Sequence, residues 1–194
     1  MKTIYFPRLE LVLLCAAVLP FAAVAATQPN GIGNFQQVSD HIFRGAQPTE
    51  QGFQSLAKMG VRTVIDLQES GDARSAGEAK SVKAAGMQYV SVPMKGMETP
   101  SGESVAKVLA LLEETTGGPL FVHCHRGADR TGGIIACYRI EHDHWTSDHA
   151  LAEARSLGMS WYQLAIQRFV RSFQPRTPDP VTPVFAGMVV GQVP

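Results

Sequence analysis

The fold of this chain can be inferred outward from one stretch, Phe121-Val-His-Cys-His-Arg-Gly-Ala-Asp-Arg-Thr-Gly-Gly133. Apolar residues over 119–122 predict a short buried strand, and apolar residues at helical spacing over 131–141 predict a helix. The glycine-containing segment between them is therefore a strand-to-helix turn. Backbone N–H groups and the positive end of the helix dipole converge in such a turn, which makes it suitable for binding an anion.

Two side chains in this turn indicate the chemistry. Cys124 lies at its mouth, and Arg130 follows with a planar guanidinium that can bind two phosphate oxygens at once. Positive charge and helix N–H groups also stabilise a thiolate, the nucleophilic form of cysteine. The pattern predicts a thiolate directed at phosphorus.

A cysteine at this position has two other interpretations. A single cysteine between a strand and a helix is most often a small buried hydrophobic residue, but Gly127 and Arg130 in the same turn favour a functional loop. Rhodanese-like sulfurtransferases also place a cysteine in such a turn, although most use a loop that is shorter by one residue. The spacing from Cys124 to Arg130 suits phosphate better.

The loop residues resemble the signature of the cysteine-dependent protein tyrosine and dual-specificity phosphatases, read here as His123-Cys124-His-Arg-Gly127-Ala-Asp-Arg130-Thr131. The resemblance extends more loosely over residues 42–173, and the entry Phe-Arg-Gly-Ala-Gln-Pro at 43–48 is most similar to small bacterial dual-specificity-like enzymes. It implies in-line attack by Cys124 on a phosphomonoester, a phosphocysteine intermediate and hydrolysis by water. It implies no metal and no other cofactor.

The resemblance also implies roles for the remaining loop residues. The phosphate would be surrounded by His125, Arg126, Gly127, Ala128, Asp129 and Arg130. Thr131 lies where the hydroxyl of the family assists departure of the cysteine thiolate from the intermediate. His123 lies where an imidazole orders the loop.

The general acid that protonates the leaving oxygen is left open. Family members usually carry an aspartate on a loop upstream of the nucleophile, whereas residues 93–102 contain no aspartate and only one carboxylate, Glu98. Asp129 is the alternative, because its position resembles the myotubularin pattern with an in-loop aspartate; it could instead pair with a nearby cation. Asp66 and Asp72 are more distant candidates.

The substrate class also stays open between several readings. No aromatic recognition loop can be identified, and Tyr89 lies on a predicted strand as a core residue. A dual-specificity protein phosphatase acting on phosphorylated protein is favoured. Because His125 and Arg126 add donors, a phosphoinositide, inositol-phosphate or phospholipid phosphatase is the alternative. A catalytically silent phosphate-binding module is the second alternative.

A functional metal site is not expected, although histidines are numerous around the loop. A set could be drawn from His123, His125, His142, His144 and His149. The predicted thiolate and Arg130 lie among them, and a metal cation is poorly matched to a neighbouring guanidinium.

The chain ends and composition give the domain organisation. The 194 residues, 45% hydrophobic and with a formal net charge of zero, can form one well-packed domain and do not indicate a nucleic-acid binder. The sequence predicts a signal peptide over 1–26, a flexible leader over 27–37, the phosphatase domain over 38–174 and a Pro-rich tail over 175–194. The oligomeric state cannot be inferred.

The first segment predicts export. Two basic residues precede an apolar run over 11–26 that ends in a small-x-small pattern, which is typical of a secretory signal peptide cut after Ala25 or Ala26. A membrane anchor is the competing interpretation, but the run is short and contains Pro20. We therefore expect a periplasmic protein without stable membrane insertion after cleavage.

Export leaves two cysteines, Cys124 and Cys137, and no disulfide framework is expected. An ionised thiol in an oxidising compartment is prone to sulfenic acid or mixed-disulfide formation. Cys137 could act as a resolving thiol or pack within its helix, and packing is favoured.

Strand and helix patterns alternate along the chain. Strands are predicted over 42–44, 61–67, 87–93 and 119–122, and helices from Thr49 to Gly60 and over 73–85, 101–115, 131–141, 146–157 and 160–173. Continuously apolar strands in this order predict an α/β fold in which helices cover both faces of a mostly parallel sheet. Ligands bind at the carboxyl ends of such strands, where Cys124 lies.

Overall fold

A computed structural model describes residues 28–71 and 73–176. The strands are β1 (Gln36–Gln37), β2 (Ile42–Ala46), β3 (Thr63–Asp66), β4 (Gln88–Ser91) and β5 (Leu120–Cys124). The helices are α1 (Glu50–Lys58), α2 (Ala73–Ala84), α3 (Gly102–Glu113), α4 (Asp129–Glu141), α5 (Ser147–Ser156) and α6 (Leu164–Ser172). The predicted signal peptide and all but the first two residues of the predicted tail lie outside the described residues.

The described strands form one sheet with the order β1-β2-β5-β3-β4. β2, β3, β4 and β5 are parallel, and β1 pairs antiparallel with β2. The central strand β5 is buried along its whole length and ends at Cys124. The predicted mostly parallel α/β sheet is confirmed, and the nucleophile candidate lies at the carboxyl end of its central strand.

Helices cover both faces of the sheet, because the apolar side chains of the strands alternate between two cores. α1 and α2 contribute Phe53, Leu56 and Val82 to one core. α3, α4, α5 and α6 contribute to the other core, whose centre is the apolar helix α4. Packing in this second core holds the beginning of α4 against the end of β5 and so fixes the turn between them.

The prediction of a flexible leader over 27–37 is wrong for residues 31–37. Ile32 and Phe35 are buried in the core, and the Thr49 N–H donates to the Gly31 carbonyl at 2.9 Å. The sequence of this segment is rich in Gly and Asn because the backbone makes tight turns: φ is +83° at Gly31 and 50° at Asn34. Gly and Asn are also typical of flexible segments, but here they permit close packing.

Several predicted boundaries shift for local reasons. The helix predicted from Thr49 to Gly60 is shorter, because α1 ends at Lys58 and Gly60 turns the chain with a φ of +85°. Met59, which follows α1, is 39% exposed. α4 begins two residues earlier than predicted, at Asp129, whereas α6 begins later than predicted, at Leu164. Within the described residues, no helix combines the length and apolar character that a bilayer crossing requires.

Candidate active site

The turn between β5 and α4 presents the end of a helix that no side chain caps. Ala128 occupies the N-cap position and makes no side-chain capping hydrogen bond. Ser, Thr, Asp or Asn usually occupies this position and accepts from the first N–H groups of the helix. With alanine there, those N–H groups stay available to an anion at the positive end of the helix dipole.

The peptide groups of the loop are held from behind. The Gln47 N–H donates to the His125 carbonyl at 3.2 Å, and the Asn34 amide donates to the carbonyls of Arg126 at 3.3 Å and Gly127 at 3.1 Å. In the described part of the chain, no N–H group of residues 125–128 donates a hydrogen bond. Since C=O and N–H point in opposite directions in a trans peptide, holding the carbonyls behind the loop directs the N–H groups toward its front.

Gly127 is required by this arrangement. Its φ is +66°, and a Cβ atom there would lie 2.2 Å from the backbone carbon of Gly45. The loop therefore rests directly on the backbone of β2. Only glycine permits both the left-handed conformation and the contact.

The front of the loop forms one wall of a cavity of about 190 Å³ with polar and apolar lining. Its lining residues are Gly96, Met97, Cys124, His125, Arg126, Asp129, Arg130 and Gln163. The structure thus brings together most of the predicted site residues. Gly127 and Ala128 are buried in the loop and do not line the cavity, and neither does Glu98.

Cys124 and Arg130 are both constrained. Cys124 is 2% exposed at the end of β5, so that its side chain is accessible only from the cavity that it lines. Arg130 donates from Nη1 to the Met94 carbonyl at 3.2 Å, which tethers its guanidinium to the loop after β4. A phosphate in the cavity would meet a thiol and a guanidinium whose positions are already restricted.

The two candidate acids have different surroundings. Both oxygens of Asp129 are occupied: Oδ1 accepts from the Ser160 N–H at 2.8 Å, and Oδ2 accepts from Arg126 at 2.8 Å. That hydrogen bond raises the pKa of Arg126. Glu98 is 63% exposed, contacts Lys95 at 2.9 Å and lines a neighbouring cavity. The pair raises the pKa of Lys95.

The more distant candidates do not join this cavity. Asp66 is fully buried and accepts from the Gln68 N–H, from Tyr89 at 2.9 Å and from Arg74 at 3.1 Å. Burial, followed by the neighbouring Asp66 charge, raises the pKa of Tyr89. Asp72 lies outside the described residues.

His123 belongs to a buried network behind the loop. Its Nε2 lies 2.8 Å from Oε1 of Glu78, and Glu78 also contacts Arg74 at 2.9 Å. Asp66, Glu78 and His123 are grouped closely enough to ligate a metal ion. Arg74 already contacts both carboxylates, so its positive charge opposes a second cation there. Sequence reasoning missed Glu78 because a glutamate on a polar helix resembles an ordinary surface charge.

Two further residues of α4 were singled out from the sequence. Thr131 is fully buried, and its hydroxyl has no hydrogen-bond partner among the described residues. Cys137 is 1% exposed, and burial raises its pKa to about 12. Cys137 is therefore a neutral thiol at physiological pH, as the packing interpretation expects.

The supports behind the loop were not identified from the sequence. Asn34 was assigned to a flexible leader, and Arg44 and Gln47 entered only as part of the motif at 43–48. One signal was present: a charged residue interrupts the apolar strand Ile-Phe-Arg-Gly-Ala. A charge in a buried strand conflicts with its local pattern, and such conflicts are expected near functional sites.

Known proteins resemble this chain over most of its length. A family model described as "DSP-PTPase phosphatase fused to NAD+ Kinase" matches residues 15–172. Inositol diphosphatase DSP5 of Arabidopsis thaliana is 26% identical over 145 residues, which are 72% of this chain and 69% of DSP5. Dual specificity protein phosphatase TpbA of Pseudomonas aeruginosa is 28% identical over 125 residues, which are 64% of this chain and 55% of TpbA. The match thus spans little more than half of TpbA.

Solved structures show the same fold. The core catalytic domain of the PP-IP phosphatase SIW14 from S. cerevisiae has a TM-score of 0.65 at 22% identity, covering 73% of this chain and 85% of that one. TpbA of P. aeruginosa in complex with pTyr has a TM-score of 0.62 at 24% identity, covering 76% and 87%. With the family match over most of its residues, the chain belongs to the DSP-PTPase phosphatase family and is a cysteine-dependent phosphatase.

Proposed function

We propose that this enzyme hydrolyses phosphomonoesters with Cys124 as the nucleophile. The thiolate attacks phosphorus in line, so that a P–S bond forms while the ester P–O bond breaks and the leaving oxygen takes a proton. The loop N–H groups and Arg130 bind the phosphoryl oxygens. Water then attacks phosphorus, the P–S bond breaks, and inorganic phosphate and the Cys124 thiolate are released, while the group that protonated the leaving oxygen accepts the proton that the water loses. The observation that carries this proposal is the loop itself, whose carbonyls are bound behind it while its N–H groups stay free.

The remaining loop residues would support this reaction. Thr131 would donate from its unpartnered hydroxyl to the sulfur as the thiolate departs. Asp129 would hold Arg126 and the segment at Ser160 in place, because both of its oxygens accept hydrogen bonds from them.

We assign the general acid to Glu98. Among the described residues, the Glu98 carboxylate is held by one exposed ion pair, with Lys95, and such a pair contributes little to fixing its position. Gly96 and Met97 on the same loop line the cavity, so a modest rotation of the loop would direct the carboxyl group toward the leaving oxygen. Asp129 has no such freedom.

The favoured substrate is a phosphotyrosine-type monoester. The large exposed apolar side chains of the described chain include Met97 at 62%, Trp161 at 82%, Tyr162 at 48% and Leu164 at 50%. Met97 lines the cavity, and the other three flank Gln163, which also lines it and contacts the Met97 sulfur at 3.3 Å. These four exposed apolar side chains, beside a site for one phosphate, suit a substrate with an aryl or apolar leaving group. TpbA, solved with pTyr, is consistent with this choice.

An inositol diphosphate or pyrophosphate is the second candidate. It is supported by the likeness to DSP5 and SIW14 and by the two exposed donors His125 and Arg126. Against it, Arg126 is paired with Asp129 and Lys95 with Glu98, so these cations offer less unbalanced charge to a polyanion.

The test is a substrate panel with the reduced protein in the presence of a chelator. It would compare a phosphotyrosine peptide, a phosphothreonine peptide, an inositol pyrophosphate and a phosphoinositide. We expect the phosphotyrosine peptide to be favoured in kcat/KM by more than tenfold, or about 1.4 kcal/mol. Trp161→Ala should reduce this preference, whereas preference for the inositol compound would reverse the assignment.

The catalytic assignment has its own control. Cys124→Ser should abolish turnover of every substrate in the panel, because the serine hydroxyl is a far weaker nucleophile at neutral pH. The variant should still bind phosphate. Turnover that survives in Cys124→Ser would show that the cysteine mechanism is wrong.

We also propose that the protein is exported to the periplasm. The proposal rests on the signal-peptide pattern over 1–26. Mass spectrometry of the protein from the periplasmic fraction of a Gram-negative host should find Thr27 or Ala26 at the mature N-terminus. An intact N-terminus in the cytoplasmic fraction would contradict export.

A further inference from the structure

Arg44 is a charged side chain buried at the middle of strand β2. It lies on β2 opposite Val122 of β5 and is 1% exposed. One nitrogen, Nη2, donates to the Gly127 carbonyl of the phosphate loop. Nε and Nη1 are buried and have no hydrogen-bond partner in residues 28–71 and 73–176. An arginine with unsatisfied buried nitrogens is unfavourable for folding and requires an explanation.

Among the described residues, no carboxylate forms an ion pair with this guanidinium. In the described chain, Arg44 has no acidic side chain within ion-pair distance. The charged or titratable groups that act on it are Glu153, Arg139 and Cys124. Glu153 is already bound by Arg139, with Nη2 to Oε1 at 3.0 Å. Of the groups that act on Arg44, the Cys124 sulfur is therefore the one that can become an anion and is not already bound by Arg139.

The guanidinium keeps its charge. Burial lowers the pKa of Arg44 to about 10, which leaves the side chain protonated at neutral pH. A hydrogen bond to the Gly127 carbonyl could be made by a neutral donor, so this contact does not explain why a charge is buried. An unpaired cation in a region of low dielectric acts strongly on a nearby anion.

We propose that Arg44 is a positioning residue whose positive charge stabilises the Cys124 thiolate, and then the bound phosphate, from behind the loop while Nη2 holds the Gly127 peptide in place. The inference rests on the proposed role of Cys124 as nucleophile. It adds a second cation to the site, one that never contacts the substrate. Arg130 acts from the cavity side, and Arg44 acts through the loop.

Three substitutions separate charge from hydrogen bonding. Arg44→Lys keeps the charge, Arg44→Gln keeps a donor without charge, and Arg44→Met keeps neither. Arg171→Gln is the matched control, because it removes one positive charge from an exposed position on α6. Thermal unfolding of each variant would show whether it remains folded.

The primary measurement is the rate of iodoacetamide alkylation of Cys124 as a function of pH, with the modified residue assigned by peptide mass spectrometry. In Arg44→Gln and Arg44→Met we expect the midpoint of the alkylation profile to move up by about one pH unit, which is tenfold less thiolate below the midpoint. Arg44→Lys should retain most of the wild-type midpoint, and Arg171→Gln all of it. Affinity for inorganic vanadate should fall about tenfold in the two uncharged variants.

The outcomes are distinguishable. A wild-type midpoint in folded Arg44→Gln would overturn the proposal, as would an equal shift in Arg44→Lys. Should Arg44→Met unfold, the Gln and Lys variants decide alone. Failure of the Arg44 proposal would leave Cys124-dependent turnover intact, whereas failure of the proposed function would appear as turnover in Cys124→Ser.

Discussion

The two sides of the phosphate loop are built from different parts of the chain. On the cavity side, the loop offers N–H groups that have no acceptor within the described chain, exposed His125 and Arg126, and a thiol. Behind it, the carbonyls of three successive residues accept hydrogen bonds from Asn34, Arg44 and Gln47. The difference shows how an anion site is made from an uncharged backbone: one side of each peptide is satisfied by protein so that the other side can bind the ligand.

The largest loss of stability and activity is expected from substitution of Gly127, which should disturb both the cavity side and the rear side of the loop. In Gly127→Ala, the new Cβ would overlap the backbone of Gly45, and alanine would have to adopt a positive φ. We expect a loss of about 2 to 4 kcal/mol in the free energy of unfolding and a loss of phosphatase activity. Chemical denaturation and a phosphatase assay measure these.

Gly77→Ala is the control for that substitution. Gly77 lies within α2, where an added Cβ meets open space. Alanine there should stabilise the protein by about 0.5 to 1 kcal/mol, because glycine is the poorer helix former. Equal stability of Gly127→Ala and wild type would contradict the close contact between the loop and β2.

The sequence predicted the residues on the cavity side of the loop but not the residues that support it from behind. Cys124 and Arg130 were predicted as site residues because both belong to one short segment whose spacing has chemical meaning. Asn34 lies 92 residues from Arg126, and Arg44 lies 83 residues from Gly127. No local pattern reveals a hydrogen bond over that separation, since it depends on β2 pairing with β5.

The fold was more predictable than the supports of the site. Apolar strands and helical periodicity predicted the parallel sheet, with errors of a few residues at the ends. The segment around Ile32 and Phe35 was the exception, because Gly and Asn at 30–34 are typical of both mobile chains and tight turns. The segment is identified as a tight turn only by its hydrogen bond with Thr49 and by the packing of Ile32 and Phe35 in the core.

Substitution of the proposed general acid, Glu98, should affect only the cavity side of the loop. Glu98→Gln should lower kcat about 100-fold on an alkyl phosphate and much less on an aryl phosphate, because a good leaving group needs little protonation. Asp129→Asn should lower activity on both substrates to a similar degree, since it loosens Arg126 and Ser160. Equal small effects on both substrates in both variants would remove both carboxylates from consideration.

Substitution of Asn34 should affect only the hydrogen bonds behind the loop. In Asn34→Gly, glycine can adopt the φ of 50° observed at this position. The substitution removes the side-chain amide that donates to the carbonyls of Arg126, Gly127 and Leu157. We expect stability to fall by about 1 to 3 kcal/mol. Phosphate affinity should fall with it, because the loop peptides lose their orientation. Isothermal titration with phosphate and a melting curve would show whether both properties change together, and unchanged affinity would mean that the loop holds its shape without Asn34.

The smallest effect is expected at Cys137, which is buried in the core on α4 and does not line the cavity. Burial raises its pKa from 9.0 to about 12, so the reactive thiolate forms in the folded protein only at strongly alkaline pH. Between pH 7 and about 9, iodoacetamide should therefore modify Cys124 and leave Cys137 unmodified. Cys137→Ala should leave the rate of inactivation by hydrogen peroxide unchanged. A faster inactivation of that variant, together with a disulfide linking the two cysteines in the wild type, would instead identify Cys137 as a resolving thiol and require α4 to open.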